Sequence, residues 1–204
     1  MKFALGTKLE MSQIFDEEGR ARAVTLVRVD PMTVTQIKTK EKDGYEAVQV
    51  ASGSKKHPTK PTQGHIKKAG LAAARWIKEF RITNSQSPLA MGDKIDAALF
   101  AKGDQVWVSG TVKGRGFQGV VKRHGFHGAP ATHGTKHAHR EPGSVGATWP
   151  QRIIKGKRMA GRMGGNRVTV RNLTIADVMP EKNLLVLTGA VPGHRGSLLE
   201  IKGK

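Results

Sequence analysis

The chain of 204 residues lacks cysteine altogether and is poor in aromatic and apolar residues. The absence of cysteine excludes disulfides and Cys-based zinc sites, and it fits a reducing cytosol. Only 37% of the residues are apolar and 5% aromatic, so we expect a packed core for part of the chain only. No apolar run reaches the length of about 18 residues that a membrane helix needs, and residues 1–6 are too short for a signal peptide. These features predict a cytoplasmic protein without a membrane partner.

Acidic residues are also scarce. Thirty-five Lys and Arg residues oppose 16 Asp and Glu residues, which gives a net charge of +19. Such an excess repels itself in a compact protein unless a polyanion screens it. An anionic membrane would favour a basic helix with an apolar face, and the sequence has none. The charge therefore predicts a nucleic-acid partner.

The positive charge is concentrated in the middle of the chain. Residues 113–167 hold 12 basic residues, one acid (Glu141) and 12 of the 25 glycines. Residues 1–112 have 18 basic and 12 acidic side chains, and residues 168–204 have five and three. This pattern predicts a β-barrel domain made of residues 1–112 and 168–204, with an insertion at about 52–82. Residues 113–167 are predicted to be an extended, Gly-rich basic arm.

The flanking regions are typical of short β-strands that alternate in polarity and favour β-branched residues. About seven strands at regular spacing predict a mainly β fold with a closed or nearly closed barrel. The predicted strands are Ala21–Val29, Met32–Lys38, Tyr45–Ala51, Ile95–Phe100, Gln105–Val112, Arg167–Leu173 and Asn183–Thr188.

One segment interrupts the β pattern. Apolar residues recur at helical spacing within Gly64–Phe80, which predicts a short helix followed by a strand. The preceding Ser52–Thr62 is rich in Lys and Pro, and a solvated connection is favoured there over an RNA contact. Trp76 and Trp107 lie on regular patterns and are predicted to be core residues.

Gly114-Arg115-Gly116-Phe117-Gln118-Gly119 matches the G-x-G-x-x-G pattern of dinucleotide-binding loops. That function needs a helix of useful length directly afterwards, but Gly125, Gly128 and Pro130 follow within a few residues. Glycines instead allow backbone amides to approach phosphates closely, while neighbouring Lys and Arg side chains neutralise them. We therefore expect no nucleotide cofactor.

Five histidines between His124 and His139 invite a metal hypothesis, but no acidic ligand with suitable spacing accompanies them. Imidazoles that stack on bases or bind phosphates suit the basic surroundings better. Glu141 is the only carboxylate of the segment, and an ion pair with Arg140 explains it as well as catalysis would. The sequence predicts no metal, no catalytic residue and no enzymatic activity.

The densest basic run is Lys155–Gly165 (KGKRMAGRMGG), whose four glycines predict an extended or irregular backbone. A segment of this composition lacks a core of its own and is expected to order on its partner. Trp149 lies in the same poorly apolar arm, where stacking on RNA bases is favoured over packing on the protein.

The motifs, in their order, resemble the bacterial-type large-subunit ribosomal protein L3 family. Gly114–His124 is similar to the start of that family's arm, and Ala131–Gly134 with His139–Gly146 to its central signature. Lys155–Gly164 with Arg167–Val170 and Gly189–Gly193 complete a similarity that covers essentially the whole chain. Glu141 departs from the family, where a basic or small residue is common.

The resemblance implies a six-stranded translation-protein-type barrel with a small helical insertion, and an arm that penetrates 23S rRNA toward the peptidyl-transferase centre. It also implies a role in early subunit assembly, contacts with neighbouring ribosomal proteins, and no homo-oligomer. A DNA-compacting protein or another non-ribosomal RNA-binding protein is the alternative. The residues expected to bind rRNA are Lys113, Arg115, Gly116, Phe117, Gln118, Lys122, Arg123, His124, His133, His137, His139, Arg140, Trp149, Arg152, Lys155, Lys157, Arg158, Arg162 and Arg167.

Overall fold

The computed structural model describes residues 2–82 and 89–204, and β-strands dominate it. The strands are β1 (Phe3–Phe15), β2 (Ala21–Arg28), β3 (Met32–Lys38), β4 (Ala47–Ser52), β5 (Trp76–Arg81), β6 (Lys94–Ile95), β7 (Gln105–Thr111), β8 (Phe117–Gln118), β9 (Gly161–Arg162), β10 (Arg167–Met179), β11 (Leu184–Thr188) and β12 (Leu198–Gly203). The helices are α1 (Lys40–Asp43), α2 (Lys60–Lys67) and α3 (Val120–His124). Within the described residues no helix is long and apolar enough to cross a membrane.

Six antiparallel strands close into a barrel in the order β1-β12-β7-β10-β11-β2. Strand side chains alternate between the two faces of a sheet, so every second residue points inward. Val106 and Val108 of β7 are fully buried in this way, as are Leu199 and Ile201 of β12. The mainly β fold and the six-stranded barrel are thus confirmed.

Not all seven predicted strands belong to the barrel. β3 and β4 belong to a separate four-stranded sheet with the order β5-β4-β3-β6. The predicted strand Ile95–Phe100 is two residues of β6 followed by a 3-10 turn at Ala97–Leu99. β1 and β12 were not predicted, yet they complete the barrel. Alternation indicates a strand, but the pairing partner depends on contacts distant in sequence.

The helical insertion lies earlier than its periodicity predicts. α2 begins at Lys60, inside the predicted loop, because Pro61 suits the first turn of a helix. It ends at Lys67, and Gly70 takes a positive φ of 74° shortly afterwards. Trp76 starts β5 and is half-buried against the barrel core. Trp107 is also half-buried, beneath the guanidinium of Arg171, so neither tryptophan is a fully buried core residue.

The chain divides into two compact units. Met1–Thr111 and Arg167–Lys204 form the first, called the barrel unit here. Val112–Asn166 form the second, called the glycine-rich unit, in which Val120 is the one buried apolar residue among those described.

Candidate nucleic-acid interface

The glycine-rich unit is closed by a short ladder between its two ends. β8 pairs with β9 in antiparallel register. The amide of Arg115 donates to the Met163 carbonyl at 2.9 Å, and the Met163 amide donates to the Gly116 carbonyl at 2.9 Å. Val112 donates to Asn166 at 3.0 Å. The segment therefore leaves and returns through paired backbone, which the sequence did not predict.

Gly164 permits the two ends to approach each other. Its φ is +77°, and a Cβ there would collide with the Lys113 carbonyl oxygen and lie 3.0 Å from the Gly114 Cα. Both obstacles are backbone atoms, which side-chain rotation cannot remove. A glycine is required at this position by conformation and by space.

The G-x-G-x-x-G sequence contributes to this ladder and to the start of α3. Its Gly116 accepts a ladder hydrogen bond, and Gly119 is the N-cap of α3. The sequence predicts no helix of useful length here, and the structure forms five helical residues before Gly125 ends them with a φ of 73°. That is little more than one turn.

Arg123 and His124 hold the unit together from the end of α3. Arg123 donates from Nη1 to the Met159 carbonyl at 2.6 Å, and His124 Nε2 lies 3.1 Å from the same oxygen. A Cβ on Gly161 would lie 2.7 Å from Arg123 Nη1. Both predicted RNA-binding side chains are thus half-buried and engaged within the unit.

Replacing Arg123 with alanine should destabilise the glycine-rich unit by about 1–2 kcal/mol, because the Met159 carbonyl loses a charge-assisted donor. RNA affinity should fall while its salt dependence stays unchanged, since this guanidinium is committed to the protein. Amide hydrogen exchange and binding titrations over a salt series measure the two effects. A reduced salt slope would instead assign Arg123 to a phosphate.

Most of the predicted basic residues are exposed. None of them forms an ion pair with the residues that the structure describes. This set comprises Lys113, Arg115, Lys122, Arg140, Arg152, Lys155, Lys157, Arg158 and Arg162. The predicted set omits Lys136, which is equally exposed and which composition alone would have included.

The histidines are spread along the unit. His133 and His137 are exposed, and His133 has a positive φ of 57°. His139 is half-buried, and its carbonyl accepts from the Ala129 amide at 3.2 Å. No group of three or more metal-ligating side chains comes together in residues 2–82 and 89–204.

Glu141 does not form the predicted ion pair with Arg140. Within the described chain its carboxylate has no cationic partner closer than 4.0 Å. The Glu141 amide instead donates to the Ala138 carbonyl at 3.5 Å. The Glu141 side chain lines an open surface pocket together with His127 and Arg158. Adjacency in sequence therefore did not produce an ion pair here.

Two aromatic side chains of the glycine-rich unit face solvent. Phe117 is 76% exposed and Trp149 is 81% exposed, and a cis peptide bond joins Trp149 to Pro150. Trp149 therefore does not pack on the described protein. Each ring has a free face of the kind on which a base stacks.

Arg167 belongs to the barrel unit and already has a protein partner. Its Nη2 lies 2.5 Å from Glu200 Oε2, and Lys78 Nζ lies 3.1 Å from Glu200 Oε1. Burial acts to raise the pKa of the Glu200 carboxyl, but the hydrogen bonds from Arg167 and Lys78 outweigh it and hold that pKa below its usual value. No sequence pattern indicated that Arg167 and Glu200 would form an ion pair.

This chain is similar to known proteins over nearly its whole length. The model of the family described as Ribosomal protein L3 matches residues 89–184. A protein of Trichormus variabilis is 52% identical over 200 residues, covering 97% of this chain and 94% of its own length. One of Acidothermus cellulolyticus is 47% identical over 205 residues, with 99% and 92% covered. One of Streptococcus mutans is 48% identical over 203 residues, with 98% and 96% covered. All three are named large ribosomal subunit protein uL3.

Proposed function

This chain belongs to the ribosomal protein L3 family, and we propose that it is a structural component of the large ribosomal subunit that binds 23S rRNA. The observation that carries the proposal is the set of exposed, unpaired cations on the glycine-rich unit. Eleven basic residues and one acid lie between Val112 and Asn166. Polyphosphate backbone neutralises such a surface and releases counterions, which drives binding.

The two units have different proposed roles. The barrel unit supplies the folded anchor, and the glycine-rich unit enters gaps between rRNA helices toward the peptidyl-transferase centre. Lys and Arg side chains neutralise phosphates there, and glycines admit the backbone close to RNA. In this role the chain supports early subunit assembly, touches neighbouring ribosomal proteins and acts as a single copy. The protein is a scaffold, in keeping with the structural role of its family.

Co-sedimentation with ribosomal particles tests this function. The tagged chain should appear in the large-subunit peak of a sucrose gradient and remain there after a high-salt wash. Recovery at the top of both gradients would exclude a ribosomal role and leave a non-ribosomal RNA- or DNA-binding protein. Competition between folded RNA and duplex DNA would then identify the nucleic acid.

Trp149 is proposed to stack on an unpaired rRNA base. Replacing it with alanine should weaken 23S rRNA binding by about 1–3 kcal/mol, the range for one base–aromatic stack. Trp149→Phe should retain most of the affinity, because a phenyl ring keeps a stacking face. Both variants should preserve the salt slope and the thermal stability, since Trp149 is 81% exposed. Equal affinity of the alanine variant and the parent chain would exclude the stack.

A further inference from the structure

A second strongly basic surface lies on the barrel unit. No acidic residue occurs between Glu46 and Glu79, whereas residues 53–75 carry six Lys and Arg residues. All six side chains are exposed, and we call them the lysine surface: Lys55, Lys56, Lys60, Lys67, Lys68 and Arg75.

The backbone beneath the lysine surface is fixed. Ile66 of α2 is fully buried and packs with Ala51 and Ala74 in a small separate core. The amide of Arg75 donates to the carbonyls of Ser52 at 3.2 Å and Gly53 at 3.3 Å. These hydrogen bonds join Arg75, at the end of the segment, to Ser52 and Gly53 at its beginning. The six charged side chains therefore extend from a backbone that is already folded.

The lysine surface lacks internal partners for its charge. None of its six side chains forms an ion pair within the described part of the chain, although Arg75 lies over the Trp76 ring at 5.0 Å. Some lysines elsewhere in the barrel unit are neutralised, as Lys38 is by Glu79 at 3.2 Å and Lys78 by Glu200 at 3.1 Å. Six like charges without counterions favour binding to an external polyanion.

We propose that the lysine surface binds the phosphate backbone of a base-paired rRNA segment, a contact additional to those of the glycine-rich unit. The inference rests on the proposed function. Residues 53–75 expose no large apolar side chain, so they offer no platform for unstacked bases, unlike Phe117 and Trp149. A surface of cations without stacking groups matches paired RNA, which is recognised through phosphates and shape. Ser52–Thr62 is then more than a solvated connection.

A salt series with protein-free 23S rRNA tests the proposal. The variant K55Q/K56Q/K60Q should reduce the log–log salt slope by about 2, since each phosphate contact contributes about 0.7–0.9. The matched control K40Q/K42Q/K182Q removes the same charge from exposed positions that adjoin acids, and it should keep the parent slope. Unchanged thermal melting verifies the fold of each variant.

The outcomes separate the two proposals. If the parent chain binds and both variants share its slope, the lysine surface is excluded while rRNA binding stands. If the parent chain itself fails to bind 23S rRNA, the proposed function fails and this inference fails with it.

Tethered cleavage provides a second test, because the chain has no cysteine of its own. An iron chelate on Lys56→Cys in reconstituted large subunits should cut both strands of a paired rRNA segment. The same chelate on Lys42→Cys serves as the control and should not cut that segment. Cleavage confined to unpaired nucleotides, or no cleavage from Lys56→Cys, would overturn the assignment to paired RNA.

Discussion

Replacing Lys155, Lys157 and Arg158 with glutamine should weaken binding to 23S rRNA on the order of 10²-fold at about 0.1 M salt. All three side chains are exposed and without an ion pair among the described residues. Each lost phosphate contact removes about 0.7–0.9 from the salt slope, so the slope should fall by about 2–3. Filter binding or fluorescence anisotropy over a salt series measures both quantities.

A charge-retaining variant isolates the cause. In K155R/K157R/R158K every position keeps its positive charge, so counterion release is preserved and the slope should match the parent chain. A loss of affinity with an unchanged slope would identify a hydrogen-bond geometry that one cation type alone satisfies. If the glutamine variant retains the parent slope, these residues do not contact phosphates.

Replacing Gly164 with alanine should open the ladder that closes the glycine-rich unit, at a cost of about 2–4 kcal/mol. The left-handed backbone accounts for part of this cost. The remainder comes from the collision of the new methyl group with the Lys113 carbonyl and the Gly114 Cα. Amide exchange at Arg115 and Met163 should accelerate, because their ladder hydrogen bonds break.

Gly156→Ala is the matched control. Gly156 also has a positive φ, +84°, but a Cβ there would meet nothing within 4 Å. This variant should show only the conformational cost of about 1 kcal/mol, with exchange at Arg115 and Met163 unchanged. Equal exchange rates in the two variants would show that the close approach at Gly164 is unimportant. In both variants the barrel amides of β7 and β12 should stay protected.

Local sequence predicted several elements well. β2 and β3 lie within one residue of the predicted strands, because alternating β-branched residues are a local signal. The helix of the insertion was predicted in the right region but too late, since Pro61 and the Lys-rich residues before it are typical of a loop as well as of a first turn. β1 and β12 were not predicted, because they form in part by pairing with strands distant in sequence: β1 pairs with β12 as well as with β2, and β12 also pairs with β7.

In the candidate site, too, some features could be predicted from the local sequence and others could not. Its basic residues and exposed aromatics could be predicted, since composition determines charge and a segment with few apolar residues cannot bury them. The roles of Arg123 and His124 could not be predicted, because both contact the Met159 carbonyl, 36 and 35 residues away. The pairing of Arg167 with Glu200 could not be predicted for the same reason, because the two residues are 33 positions apart.

By itself the sequence determined that the protein carries a large positive charge, concentrated in one glycine-rich segment, and that its flanks form strands. These properties follow from side-chain chemistry and local periodicity, which need no tertiary information. Only the tertiary structure decided which strands close the barrel, which cations are committed to the protein, and that the six cations of residues 53–75 are exposed on a packed, hydrogen-bonded segment. Those features depend on contacts between residues far apart in the chain, and such contacts exist only after folding.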